Sequence, residues 1–339
     1  MVKSMGQRTL IFQYTSIIIL FCLSLISFVF ILTFIFSEFT LWSVLGVILA
    51  VQIVNNNTDK SQESETGTND LEGYSIIIPV YNEEDGIIPV LAEVVQAIEG
   101  SNAEVVIVDD GSSDKSIELT TKFVNKQKSQ LKIVRHPQNK GYGSALKTGF
   151  TVAKNDIITF LDADGTYPSA FIPTMINLFR KRNLDILVGS RLAGTACEMP
   201  WIRKIGNKAF AFLMSLYSGT RVSDVGSGMR VMNRSLLNKI GDSPDGLFFT
   251  PYMTAQVLLQ NDIRYGETPI TYHERIGVSK LNVFRDGWNF FKAITIPSWR
   301  KKPFRVFIIL FILLLALFTI ITIVGILIFR ILGSFSIFF

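Results

Sequence analysis

The chain has 339 residues, of which 48% are hydrophobic and only 18% are charged, and its formal net charge is +5. Soluble domains carry about 25% charged residues, so this composition argues against a purely soluble protein, and the 27 phenylalanines argue against a disordered one. Two cysteines and two histidines exclude a disulfide scaffold and a zinc site built from those residues.

Two apolar runs lie near the N-terminus. Residues 10–36 are uncharged and, as a helix, long enough to cross a hydrocarbon core of about 30 Å. Residues 39–54 form a shorter uncharged run, and Ser37 and Glu38 separate the two. We therefore predict a two-span hairpin in a membrane region over residues 1–54, while one span followed by an interfacial helix stays open. A signal peptide is disfavoured because its apolar core is usually only about 7–15 residues long.

The middle of the chain reads as a linker followed by an α/β domain. Residues 55–70 are polar and lack apolar periodicity, which predicts a flexible linker. Over residues 71–282, short β-branched runs alternate with helical spacing, which predicts a largely parallel sheet covered on both faces. The predicted strands are residues 74–80, 104–108, 131–134, 156–161 and 185–188, and the predicted helices are residues 84–98, 114–126, 143–153 and 169–181.

Polar motifs follow the predicted strands or begin the helices after them. They are PVYNEE at residues 79–84, DDGS at 109–112, NKGYG at 139–143 and DADG at 162–165. Ligands of parallel sheets bind beyond the carboxyl ends of the strands, so we expect these motifs to line one site. Neither GxxxxGK[ST] nor GxGxxG is present, which counts against a P-loop NTPase or a dinucleotide enzyme.

Asp162 and Asp164 are the strongest candidates for metal ligands. Alternate residues of an extended chain point the same way, and Mg²⁺ prefers carboxylate oxygens combined with substrate phosphate. Two solvated turn aspartates are the alternative, but the position after a buried strand, with more aspartates at residues 109–110, favours a metal. Gly141 and Gly143 would let backbone N–H groups approach a diphosphate, although an ordinary loop before a helix explains them equally well.

Six motifs, in this order, resemble glycosyltransferase family 2 enzymes of the dolichol-phosphate mannosyltransferase type. They are IIIPVYNEE, VDDGSSD, NKGYGSALKTGF, FLDADGTYP, VGSR and DVGSGMRV, and the resemblance covers roughly residues 74–280. It implies an α/β GT-A fold with a mostly parallel nucleotide-sugar-binding sheet. It also implies a nucleotide-sugar donor, a divalent metal (Mg²⁺ or Mn²⁺) and a polyprenyl-phosphate acceptor.

Carried over motif by motif, the resemblance implies roles for individual residues. The metal is expected on Asp162 and Asp164, and these two residues form the expected catalytic set together with Arg191, Arg230 and Lys280. The expected donor-binding residues are Pro79, Tyr81, Glu83, Val108, Asp110, Asp162, Ala163 and Asp164.

A phosphate acceptor suits such a site. A phosphate monoester already carries about −1.5 to −2 charges at neutral pH, so it needs charge compensation more than a general base. Arginine matches phosphate in bidentate geometry. We expect Arg191, Arg203, Arg275 and Lys280 to meet the acceptor phosphate, with Lys204 as a further basic group.

One position departs from the family pattern. Many members have a glutamine two residues after the second aspartate of DADG, where it helps to bind the metal, and this chain has Thr166. The third protein ligand of the metal is therefore left open. The sugar, the choice between UDP and GDP, the type of polyprenol and the existence of a homo-oligomer are also undetermined by the sequence.

The C-terminal part of the chain predicts membrane contact. Residues 283–303 mix Trp and Phe with basic side chains, which is typical of an amphipathic interfacial helix; a helix that caps the sheet is the alternative. Residues 304–330 form a third apolar span, and four basic residues at 300–305 place its N-terminal side in the cytoplasm. Lys3 and Arg8 place the N-terminus there too, so we expect a multi-pass integral membrane protein whose catalytic domain faces the cytoplasm.

The sequence thus predicts a membrane-bound, inverting, metal-dependent hexosyltransferase. It would move a monosaccharide from a UDP- or GDP-hexose to dolichyl or undecaprenyl phosphate for glycan or cell-envelope assembly, with no nucleic-acid partner. Transfer to a lipid-linked glycan or a glycerolipid, and a non-catalytic membrane scaffold, are the alternatives. A processive polysaccharide synthase is disfavoured because the chain has no QxxRW motif.

Overall fold

The described residues up to Phe307 form one compact unit, and those from Ile308 onward belong to a second unit. The fold that positions the candidate site is that of the first unit. The structure is a computed structural model, and it describes residues 73–127, 131–194, 196–277 and 283–335.

Strands and helices alternate through the first two thirds of the described chain. The strands are β1 (Tyr74–Val80), β2 (Ala103–Asp109), β3 (Leu131–Arg135), β4 (Ile157–Phe160), β5 (Ile186–Ser190), β6 (Arg230–Asn233) and β7 (Tyr265–Pro269). The helices are α1 (Ile87–Ala97), α2 (Ser116–Lys126), α3 (Tyr142–Val152), α4 (Ile172–Lys181), α5 (Trp201–Ser218), α6 (Leu237–Ile240), α7 (Phe249–Leu258), α8 (Val283–Lys301) and α9 (Pro303–Phe335).

The strands form one sheet in the order β3–β2–β1–β4–β6–β5–β7. Every neighbouring pair is parallel except those made by β6, which runs antiparallel to both β4 and β5. β6 therefore joins two parallel parts of the sheet, β3–β2–β1–β4 on one side and β5–β7 on the other. The predicted, mostly parallel α/β sheet is confirmed, and β6 is the antiparallel element that the residue pattern did not predict.

Two apolar layers cover the sheet because successive side chains of a strand point to opposite faces. On β1, Ile76 and Ile78 pack into the layer that contains α1 and α4. The intervening Ile77 packs into the other layer, with residues of α3 and α7. Burial on both faces explains why β1 is a continuous apolar run rather than an alternating one.

The five predicted strands agree with the observed ones within two residues, and the four helices predicted between residues 84 and 181 agree within three. The second unit contains most of α9, within which Pro303–Gly325 is long and apolar enough to cross a membrane. This is the one such helix among the described residues. The predicted N-terminal spans and the linker over residues 55–70 lie outside the described residues.

Candidate active site

A pocket of about 490 Å³ opens at the carboxyl-end edge of β1, β2 and β4. Residues of PVYNEE, DDGS, NKGYG and DADG all line it. Residues of α5 and α8 and of the loops that carry Arg191, Gly226 and Arg275 also line it. Its volume lies in the range of about 300–1,000 Å³ that is typical of small-ligand sites. The expected meeting of the four motifs at one sheet edge is therefore observed.

Asp162 and Asp164 follow β4 and both line the pocket. The Tyr142 hydroxyl, at the start of α3, donates a hydrogen bond of 2.7 Å to Oδ1 of Asp162. Burial and then the neighbouring Asp164 charge raise the pKa of Asp162 to about 7. Burial and the Asp162 charge also raise the pKa of Tyr142, so its hydroxyl stays protonated and donates. Asp162 and Asp164 thus concentrate negative charge in a part of the pocket that has little access to water.

Thr166 turns toward Asp164 in the structure. Its Oγ1 donates a 2.6 Å hydrogen bond to Oδ1 of Asp164, and its backbone N–H approaches the same oxygen at 3.2 Å. Thr166 therefore orients the second aspartate. Nothing in this arrangement gives Thr166 the reach of the glutamine found in many family members.

Asp110, at the end of β2, ties three parts of the chain together. Its Oδ1 accepts hydrogen bonds from the backbone N–H of Lys140, at 2.9 Å, and pairs with Nδ1 of His136 at 2.7 Å. Its Oδ2 accepts the backbone N–H of Gly141 at 2.8 Å. Nε2 of His136 lies 2.9 Å from the Thr148 hydroxyl. The buried His136 thus links Asp110 to α3, a role that the motifs did not reveal.

Arg191 follows β5 and is almost fully buried. Its guanidinium binds Asp224 in bidentate fashion, with Nε–Oδ2 at 2.7 Å and Nη2–Oδ1 at 2.8 Å. It also lies 5.3 Å from the centroid of the Tyr272 ring. Since Arg191 lines the pocket while Asp224 fixes it from behind, its charge is held in one orientation.

Arg275, which was predicted to meet the acceptor phosphate, lines the pocket beside Glu83 and Asp164. Its guanidinium forms an ion pair with Glu83 and a second one with Asp164, where Nη1 and Oδ2 are 3.2 Å apart. About a quarter of its side chain is exposed. It therefore contacts one predicted donor-binding residue and one predicted metal ligand.

Two expected site residues lie in the interior instead. Arg230 is fully buried, and its guanidinium donates to the backbone carbonyls of Val225 and Ser227 and to the Thr254 hydroxyl. It therefore orders the loop behind Arg191, and it does not line the pocket. Val108 is fully buried in the apolar layer that contains α3, and its side chain does not line the pocket. Both sit on strands whose motif neighbours line the pocket.

Most of the other expected residues line the pocket. Pro79, Tyr81 and Ala163 line the pocket beside Glu83, and Arg203 lines it from α5. Lys280 lies outside the described residues, so its role stays a prediction.

The comparisons with known proteins decide the family. Residues 75–241 match the family described as "Glycosyl transferase family 2". Over 218 residues, or 63% of this chain, it is 34% identical to the low-salt glycan biosynthesis hexosyltransferase Agl6 of Haloferax volcanii. Over 223 residues, or 65% of the chain, it is 33% identical to the dolichyl-phosphate hexose transferase of the same organism. The match spans about half (51%) of the first relative and 91% of the second. This chain belongs to glycosyltransferase family 2.

Solved structures agree with the fold of this family-2 chain. Glucosyl-3-phosphoglycerate synthase of Mycobacterium tuberculosis, in complex with Mn²⁺, uridine diphosphate and phosphoglyceric acid, superposes with a TM-score of 0.55. The likeness covers 67% of this chain and 78% of that one at 15% identity, so it shows the fold alone. The GT-A-like fold expected from the six motifs is confirmed.

The residues of this family-2 site suit a divalent cation. Asp162 and Asp164 supply the hard oxygen ligands that Mg²⁺ and Mn²⁺ accept. The pKa of Asp162 is raised by its burial and then by the neighbouring Asp164 charge, and a bound cation would offset both effects. The Arg275 guanidinium already sits on Asp164, as a cation does. Within the described ranges, no cluster of three or more His, Cys, Asp and Glu side chains forms a complete protein cage. The aspartate pair therefore fits a metal shared with substrate phosphate.

Proposed function

We propose that the protein transfers a monosaccharide from a nucleoside diphosphate sugar to a polyprenyl phosphate. The observation that carries this proposal is the composition of the pocket. It combines the Asp162 and Asp164 carboxylates at the sheet edge with arginines and with an apolar wall from α5 and α8. The arginines match the charged phosphate of such a lipid, and the apolar wall matches its hydrocarbon chain. The name of the dolichyl-phosphate hexose transferase supports the lipid phosphate, and the name of the hexosyltransferase Agl6 supports transfer of a hexose.

The acidic and basic residues of the pocket would have different roles. Asp162 and Asp164 would hold a divalent ion, which would compensate the charge that develops on the leaving diphosphate. Glu83 and Asp110 lie at the strand ends where the nucleoside would bind. Arg191, fixed by Asp224, would orient the acceptor phosphate. In the transfer, an acceptor phosphate oxygen bonds to the anomeric carbon while the bond to the nucleoside diphosphate breaks, with inversion.

An apolar face near the pocket supports a lipid acceptor. Trp201 and Ile205 of α5 are 70% and 60% exposed, and Phe284 and Trp288 of α8 are 90% and 61% exposed. Elsewhere α8 packs into the interior, since Ile294 and Ser298 are fully buried. One side of the helix therefore packs into the interior, and we propose that its exposed side contacts the bilayer.

We further propose that the protein is a multi-pass membrane protein with its active site on the cytoplasmic side. The span from Pro303 to Gly325 and the basic residues just before it support this orientation. The N-terminal hairpin remains a prediction.

The test is a transfer assay with purified protein in detergent. Undecaprenyl or dolichyl phosphate, Mg²⁺ or Mn²⁺ and a panel of UDP- and GDP-sugars are supplied, and lipid products are identified by mass spectrometry. We expect one lipid that carries a single sugar, and its disappearance when EDTA is added. A protein that binds nucleotide but yields no lipid product across the panel would point to another acceptor.

Asp164→Asn is the matched inactive variant. It keeps the shape and can still accept the Thr166 hydrogen bond, but it removes one predicted ligand charge. We expect transfer to fall by roughly 100-fold or more. Full activity in this variant would contradict the proposed metal site.

A further inference from the structure

We propose that Arg275 is an internal counter-ion of the donor site, which holds Asp164 and Glu83 until a metal ion and the donor diphosphate replace that contact. This inference rests on the proposed function, because it takes the pocket as a site for a metal and a nucleoside diphosphate. It moves Arg275 from the acceptor phosphate, where the sequence placed it, to the donor. Three observations carry it.

The first observation is the pair of acidic partners. Arg275 forms ion pairs with Asp164, at 3.2 Å, and with Glu83. Its charge also stabilises the ionised form of Asp162. One guanidinium thus faces three carboxylates that are predicted to handle the donor and its metal. A cation in this place reduces their mutual repulsion when no ligand is bound.

The second observation is the docking of the segment that carries Arg275. The backbone N–H of His273 donates to the Thr166 carbonyl at 3.0 Å, and that of Ile276 donates to the Asp164 carbonyl at 3.1 Å. Ile276 also covers Gly165, where a Cβ atom would lie 2.8 Å from its Cδ1. Gly165 has a φ of +74°, so glycine satisfies both the turn and the close approach. The DADG loop itself therefore fixes the backbone on both sides of Arg275, while the side chain keeps its own freedom to change partners.

The third observation is an unsatisfied donor. Among the described residues, Nε of Arg275 is buried and has no hydrogen-bond partner. Buried donors without partners are rare, and arginine binds phosphate through several N–H groups at once. The guanidinium therefore has unused capacity for an anionic oxygen that arrives in the pocket.

These contacts imply an exchange of partners. A divalent ion on Asp162 and Asp164 would repel the guanidinium that already sits on Asp164. Arg275 therefore leaves Asp164 when the site fills, and the diphosphate is the anion that can take it over. The same positive charge serves the empty site and the occupied one.

The experiment measures metal binding without catalysis. Mn²⁺ is titrated into metal-free wild-type protein and the Arg275→Gln variant in detergent, and free Mn²⁺ is followed by electron paramagnetic resonance. Removal of the competing charge should tighten Mn²⁺ binding by about tenfold. With Mn²⁺ saturating, the same variant should bind UDP or GDP about tenfold more weakly than wild type.

Arg264→Gln is the matched control. Arg264 forms an ion pair with Asp185 at 2.7 Å, and neither residue lines the pocket. Arg264→Gln therefore removes one positive charge and one ion pair with an aspartate, as Arg275→Gln does, but away from the proposed metal site. We expect its Mn²⁺ affinity to equal that of wild type. Equal Mn²⁺ affinity in Arg275→Gln and wild type, or no Mn²⁺ binding by Arg275→Gln, would overturn the proposal.

Two further readouts keep the test decisive. If Arg275→Gln does not fold, Arg275→Lys carries the test, because lysine keeps the charge but cannot bridge two carboxylates as a planar guanidinium does. We expect its Mn²⁺ affinity to lie between those of wild type and the expected Arg275→Gln value, and wild-type affinity would overturn the proposal. Tighter Mn²⁺ binding in a protein that transfers no sugar would reject the proposed acceptor while supporting the role of Arg275.

Discussion

The charge of Asp162 destabilises the folded, metal-free protein. Its pKa is about 7 in the folded protein, against an ordinary value of 3.8, because burial and Asp164 disfavour its charge. Between pH 4 and 7 the folded state therefore binds the proton more tightly than the unfolded state. The stability of the metal-free protein falls as the pH rises through this window, and the cost persists above it.

Asp162→Asn should remove that cost. With EDTA present, we expect its advantage in stability over wild type to grow by about 2 kcal/mol between pH 5.5 and 8, which is a few degrees in Tm. Asparagine can still accept the Tyr142 hydrogen bond, so the comparison isolates the charge. Thermal unfolding at the two pH values measures it, and an advantage that is the same at both would be inconsistent with the raised pKa.

His136 is a positioning residue for Asp110. In His136→Leu, Asp110 loses one of its three hydrogen-bond donors and its link to Thr148 of α3. We expect binding of the nucleoside diphosphate to weaken by about tenfold. Isothermal titration calorimetry gives the affinity.

His136→Gln is the rescue variant, since its amide can still donate to Asp110. It should recover most of the nucleotide affinity that the leucine variant loses. Equal losses in the two variants, at equal Tm, would show that packing rather than the hydrogen bond matters.

The packing of α3 on β1 depends on a missing side chain. A Cβ atom at Gly149 of α3 would lie 2.3 Å from Cγ2 of the fully buried Ile77. Gly149→Ala should therefore cost about 1–3 kcal/mol through overpacking, although alanine favours helix. Denaturant unfolding measures the change.

Gly206 of α5 is the matched control. It also lies inside a helix, but nothing lies within 4 Å of its built Cβ position. Gly206→Ala should stabilise the protein by about 0.5–1 kcal/mol through helix propensity. Similar effects of the two substitutions would contradict the close contact of α3 with β1.

The sequence predicted the individual strands and helices well, because short apolar runs and helical spacing are local signals. The strands up to β5 follow from such runs, and so does the meeting of the motifs at one sheet edge. The antiparallel entry of β6 depends on pairing between residues about 70 positions apart, such as Phe160 and Arg230. No local pattern encodes that choice.

The sequence predicted where the site lies, but it did not predict the hydrogen bonds and ion pairs between the side chains of the site. Motifs identified Asp110, Asp162 and Asp164, all of which line the pocket. They did not reveal which partner each side chain takes. Arg230 and Arg275 carry the same chemistry in the sequence, yet one is fully buried among carbonyls and the other faces carboxylates, because burial is set by tertiary packing.

At the scale of the whole molecule, the exposed side of α8 should bind lipid. In a fragment of residues 71–302, the double substitution of Phe284 and Trp288 by serine should lower sedimentation with anionic vesicles severalfold. Raising the salt concentration separates the apolar part of binding from the contribution of basic residues. A fragment that never binds vesicles, with or without the substitutions, would count against an interfacial role for this helix.

The central position of β6 has a consequence for synthesis of the chain on the ribosome. β5 and β7 connect to the rest of the sheet only through β6, which begins 70 residues after β4 ends. At about 5–20 residues per second, the free edge of β4 waits roughly 4–14 s for its partner. Unpaired strand edges are templates for pairing with other chains. The speed of translation therefore sets how long the nascent protein is open to aggregation.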